Sequence, residues 1–113
     1  AIARAAQPRL GEFTPQGLAN TAWAFATVGV DAPGFFDAIA DAVVTRLEEF
    51  SAQGLSNTAW AFAMAGVDAP HLFDAIAETS LSRMGEFGAQ DLASTAWAFA
   101  KADVDAPRLF DAI

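Results

Sequence analysis

The sequence predicts an all-α protein, an α-solenoid of stacked two-helix repeats, on three observations. The heptapeptide NTAWAFA at Asn20–Ala26 returns unchanged at Asn57–Ala63 and as STAWAFA at Ser94–Ala100, so Trp23, Trp60 and Trp97 stand 37 residues apart. The segments GVDAPGFFDAIA, GVDAPHLFDAIA and DVDAPRLFDAI follow at the same offset. The composition is 54% hydrophobic and rich in alanine, which fits a folded helical module and not a disordered chain. A fixed period of roughly 20 to 50 residues marks an architecture whose single unit cannot bury its apolar face alone, and about three units are the minimum that can.

The period divides residues 1–113 as one segment: a partial repeat at 1–12, full repeats at 13–49 and 50–86, and a partial repeat at 87–113. IARAAQPRLGEF (Ile2–Phe13) matches IADAVVTRLEEF (Ile39–Phe50) and IAETSLSRMGEF (Ile76–Phe87). The chain thus opens inside one repeat and stops inside another, from which a parent chain longer at both ends is expected.

Each unit reads as two helices. The first begins at Thr14, whose hydroxyl can accept a main-chain N–H as N-cap, with Pro15 at the first helical position; Ser51 takes the same role in the next copy. Gly29 and Gly66 close it in the left-handed conformation common at helix ends. Asp103 stands in that place in the third copy, which makes the cap there less secure. The second helix begins at the DAP motif, because a residue before proline is pushed out of the α region, making Ala32 a boundary and Pro33 the first turn. It is expected to run to about Leu47. Asp31, Asp68 and Asp105, before the prolines, read as turn and capping residues.

At 100° per residue, Leu18, Ala22 and Phe25 form a core stripe on the first helix, while Gln16, Asn20 and Thr27 cluster on the other side. Trp23 falls on one flank, about 60° from Asn20. The small residues between let neighbouring first helices approach closely. On the second helix Phe35, Phe36, Ile39, Val43 and Leu47 form an apolar arc. Asp37, Asp41 and Glu48 lie opposite it and recur as Asp74, Glu78 and Asp111, an acidic outer wall.

Two-helix units carrying QGLANTAWAFATVGVDAP resemble the octotricopeptide and heptatricopeptide repeats of organellar RNA-binding proteins, and the resemblance covers the whole chain. It implies a concave groove of first helices that holds single-stranded RNA, about one base per repeat. It also implies a chloroplast or mitochondrial location. Carried over residue by residue, the groove positions are Gln16, Asn20 and Thr27, then Gln53, Asn57 and Met64, then Gln90, Ser94 and Lys101. Thr27, Met64 and Lys101 differ in chemistry while the core positions barely change, as letter-reading positions would; a drifting solvent-facing site would do the same. The amides fit base edges or a ladder between repeats. The tryptophans fit packing between repeats better than a stacking platform. Arg9, Arg46 and Arg83 are candidate phosphate contacts, yet Glu12, Glu49 and Glu86 sit three residues on, within pairing range.

The net charge of −8, from six Lys and Arg against fourteen Asp and Glu, runs against a nucleic-acid partner, which usually meets a basic face. Two functions follow. The favoured one is a single-stranded RNA-binding array of an organellar gene-expression factor. The alternative is a protein-binding scaffold or subunit of a larger organellar assembly, docking a basic partner or extended peptide, as similar Asn and Trp rows do in armadillo repeats. Catalysis is not expected: the one histidine, His71, reads as exposed, and no phosphate loop, nucleophile elbow or metal-ligand spacing occurs. No cofactor or metal is expected. With cysteine absent there are no disulfides or thiolate sites, and no 18-residue apolar run escapes a polar or charged residue, so no membrane span is expected.

Overall fold

A computed structural model describes residues 6–29 and 33–112. These residues are helical, with no strand among them. A 3-10 segment, Gln7–Glu12, precedes α1 (Pro15–Val28) and α2 (Pro33–Thr45). A 3-10 turn, Leu47–Glu49, leads to α3 (Ala52–Ala65) and α4 (Pro70–Ser82), and another, Met84–Glu86, leads to α5 (Ala89–Lys101) and α6 (Pro107–Ala112). The first helices α1, α3 and α5 pack in sequence against one another, and α2, α4 and α6 do the same behind them. The expected boundary at Ala32, the turn residue Asp31, and the segment ends at residues 1–5 and 113 lie outside the described residues.

Each start and stop has a local cause. Thr14 and Ser51 accept the N–H groups of Gly17 and Gly54, both at 3.0 Å. A Cβ on Gly17 would sit 3.2 Å from the Thr14 hydroxyl, and one on Gly54 3.3 Å from the Phe50 ring and Ser51 hydroxyl; glycine leaves room for the cap and the ring beneath it. The third copy inverts the device: Gly88 is the N-cap, and Asp91, in the glycine's place, accepts the Gly88 N–H at 3.2 Å. At the other end Gly29 and Gly66 adopt φ of 78° and 69°, and Asp103 follows them at 58°. The third cap forms with the same geometry, the N–H of Val104 reaching the Phe99 carbonyl as that of Val67 reaches Phe62.

The second helices stop two residues earlier than expected. Arg46 and Arg83 both leave the helical region at φ −124°, and the next residues tighten into the 3-10 turns, so Leu47 packs against the core from a turn and not from a helix.

The core is the predicted one. Leu18, Ala22, Phe35, Phe36, Ile39 and Val43 are buried, whereas Asp37, Asp41, Glu48, Asp74, Glu78, Asp111 and His71 are exposed. Repeats are joined by edge-to-face aromatic pairs, a favoured geometry for two rings: Phe36 with Phe62 at 5.3 Å and Phe73 with Phe99 at 5.1 Å. Phe25, at the start of the stack, is only half-buried and lies against Phe35 at 4.8 Å instead.

Candidate ligand-binding face

The central helix α3 defines the open face, because neighbours cover it on both flanks and the second helices cover its back. Ala52, Leu55, Ser56, Thr58, Ala59, Ala61, Phe62 and Ala63 are all buried. What remains accessible runs mainly along one line, Gln53, Asn57, Trp60 and Met64. These residues follow the i, i+4, i+7, i+11 spacing of a single helix face. The same line is Gln16, Asn20, Trp23 and Thr27 on α1, and Gln90, Ser94, Trp97 and Lys101 on α5.

The structure therefore brings the nine predicted groove positions onto one surface and adds the tryptophans to it. The indoles stack on each other along the stack, Trp23 to Trp60 at 6.1 Å and Trp60 to Trp97 at 6.0 Å, with planes 25° and 29° apart. Trp60, with a repeat on either side, is half-buried and packs against the core, while Trp23 and Trp97 on the outer two repeats are 46% and 44% exposed. Their 6 Å step is shorter than the ~10 Å expected from the spacing of packed helices.

The amides are unspent. Side-chain hydrogen bonds on the first helices and their caps come from Thr14, Thr21, Thr27, Ser51, Ser56, Thr58, Asp91 and Thr95. Among the described residues none involves Gln16, Asn20, Gln53, Asn57 or Gln90, so no amide ladder joins the repeats. The polar link between α3 and α5 lies deeper, where the Ser56 and Thr95 hydroxyls meet at 2.6 Å. Thr27 turns its hydroxyl back to the Trp23 carbonyl at 2.8 Å.

Between α1 and α3 the line opens into a cleft of about 500 Å³ lined by Gln16, Asn20, Gln53, Asn57 and Glu49. A second cleft of about 320 Å³ lies between the second and third repeats beside Asp68 and Lys101.

The arginines do other work. Arg9, Arg46 and Arg83 pair with Glu12, Glu49 and Glu86 at 3.3, 3.1 and 2.8 Å. The side-chain hydrogen bond between them holds the Glu86 carboxyl below the usual carboxylate range and raises the Arg83 guanidinium further. Arg46 also donates from Nη1 to the main-chain carbonyl of Phe13 in the preceding repeat, a contact that local spacing does not reveal. Arg108 pairs with Glu78 at 3.5 Å. Lys101 is left as the one cation without a carboxylate partner among the described residues.

Among the described residues no group of three or more His, Cys, Asp or Glu converges on a metal-sized site, and no helix is long and apolar enough to cross a membrane.

Fold and face together define an all-helical repeat protein with one polar and aromatic surface. The chain belongs to the RNA-editing substrate-binding complex 6 protein family (RESC6), whose match spans residues 6–113. That family, and not an octotricopeptide or heptatricopeptide one, is the kinship shown. No curated protein gives a significant match.

Proposed function

We propose that this chain is a non-catalytic α-solenoid segment, of 37-residue period, that serves as a subunit of an RNA-editing substrate-binding assembly and joins it through protein contacts. The observation that carries this reading is the family match over residues 6–113. It favours the subunit alternative over an independent RNA-reading array. The electrostatics agree: the net charge is −8, and Arg9, Arg46, Arg83 and Arg108 are each engaged by a glutamate. Unpaired Lys and Arg gain affinity for phosphates by displacing condensed counterions into solvent, and such cations are scarce here. The family favours a mitochondrial over a chloroplast location.

A second reading keeps single-stranded RNA on the same face. Its support is the row of unpartnered amides at Gln16, Asn20, Gln53, Asn57 and Gln90, together with the varying Thr27, Met64 and Lys101 beside them and the half-buried Ser94. In that reading the arginines hold the turns and contribute little to phosphate binding.

Purification of the tagged full-length protein with and without ribonuclease separates the two. Retention of the other editing-complex proteins after RNA is digested supports the subunit reading. Their release would mean that RNA makes the connection.

A further inference from the structure

We infer that the Gln-Asn-Trp face receives an extended, lysine- or arginine-bearing peptide of a partner protein, laid across α1, α3 and α5. The inference rests on the subunit reading and supplies the partner chemistry of that site.

The spacing of the indoles carries it. An extended strand advances 3.2–3.4 Å per residue, so side chains on one side recur every ~6.4–6.8 Å. The indole steps are 6.1 and 6.0 Å. Residues i, i+2 and i+4 of an extended peptide therefore meet Trp23, Trp60 and Trp97 in turn, with an accumulated mismatch of at most ~1.5 Å over the two steps.

The chemistry around the rings fits the same occupant. An extended peptide leaves main-chain N–H and C=O groups unpaired along its length, and an Asn or Gln amide offers both a donor and an acceptor. Asn20 and Asn57 lie three residues before the first two indoles, with Gln16 and Gln53 a turn further back, and all four line one cleft. Lysine and arginine lay their aliphatic stems on apolar surface and carry the charge beyond it, and an indole face attracts that charge. Asp68, with no ion-pair partner among the described residues, lies in the cleft that reaches Lys101, whereas Glu49 in the amide cleft is already held by Arg46. The net charge of −8 favours a cationic partner throughout.

A nucleobase fits the row less well. A base inserted between two indoles stacks best where their planes are parallel. The rings here are tilted by 25° and 29°.

The test titrates the folded protein, at physiological salt, with a nine-residue peptide alternating Lys and Thr, with an isomer whose lysines form one block, and with a nine-nucleotide oligouridylate. Binding is read by calorimetry and by tryptophan fluorescence. The alternating peptide is expected to bind about tenfold tighter than the blocked isomer, and the double variant Asn20→Ala, Asn57→Ala to lose about tenfold. Asp74→Asn with Glu78→Gln, on the outer wall, is expected to stay within about twofold. Asn57→Asp adds a second discriminator, since it tightens a cationic peptide and weakens RNA. Equal binding of the two peptides, or loss only on changing the outer wall, would reduce the effect to unspecific charge attraction and overturn the inference. So would oligouridylate binding tighter than the peptide and sensitive to the asparagines. Failure here with ribonuclease-resistant assembly intact refutes the docking face alone, whereas loss of that assembly refutes the subunit reading.

Discussion

Arg46 reaches back 33 residues to the main-chain carbonyl of Phe13 with Nη1, while Nη2 and Nε hold Glu49 at 3.1 and 3.3 Å. One guanidinium thus closes the turn of its own repeat and ties it to the repeat before. Its side chain is 23% exposed, against 69% for Arg9 in the equivalent place at the start of the stack.

Arg46→Gln is therefore expected to cost about 1–3 kcal/mol, because the Phe13 carbonyl loses a charged donor. Arg9→Gln, which breaks only an exposed pair, should stay within about 0.5 kcal/mol. Urea midpoints of the two variants check this; equal losses would mean that the bond to Phe13 contributes nothing.

The Arg83–Glu86 pair predicts a pH dependence. The folded-state pKa of Glu86 is lowered by the hydrogen bond from Arg83, so its contribution is present above the unfolded pKa and is lost as pH falls through the folded one. Glu86→Gln should lower the melting temperature near neutrality, and the gap to the parent should close on acidification below about pH 5. A gap that widens at low pH would contradict the assignment.

Ser80 occupies the place that Val43 fills one repeat earlier, and its hydroxyl is buried with no hydrogen-bond partner among the described residues. Ser80→Val restores apolar packing and removes an unsatisfied group, so it should stabilise by about 1–2 kcal/mol. Thermal melting reads it directly, and a loss of stability would indicate that the site lacks room for the second methyl.

Asp103 holds a left-handed cap at φ 58°, where Gly29 and Gly66 carry no Cβ penalty. Asp103→Gly should stabilise by about 0.5–1 kcal/mol and Gly66→Ala should destabilise by at least as much. Opposite signs in a single denaturation series are the expected outcome; equal signs would exclude backbone strain as the cause.

Trp60 stacks on two neighbours and Trp23 on one. Each aromatic pair adds about 0.5–1.5 kcal/mol beyond area burial, so Trp60→Ala should cost about 2–4 kcal/mol and Trp23→Ala roughly half that. If Trp60→Ala leaves the midpoint unmoved, the ladder plays no part in holding the repeats together.

Much of this was legible in the residues because it is local. The caps at Thr14 and Ser51, the pairs of Arg9, Arg46 and Arg83 with glutamates three residues on, and the apolar arc from Phe35 to Val43 all follow from spacing within one helix or turn. What was not legible depends on neighbours. The 60° between Trp23 and Asn20 reads as a flank on an isolated helix; once α1 and α5 cover both sides of α3, the open line narrows until asparagine and tryptophan share it. The Phe13 carbonyl lies a whole repeat from Arg46, and no periodicity within one repeat announces that bond. Asp103 reads as a weaker cap than glycine, and only the backbone reveals that it adopts the same left-handed turn.

The most direct test of the central claim, that the Gln-Asn-Trp face docks a protein segment, is photo-crosslinking inside the purified assembly. A photoreactive phenylalanine derivative is placed at Met64, which is 43% exposed on that face, and in a second variant at Asp74 on the acidic wall. Position 64 is expected to crosslink to a basic segment of another protein subunit, identified by mass spectrometry, and position 74 is not. Crosslinks from position 64 to RNA, or to protein from position 74 alone, would contradict the claim.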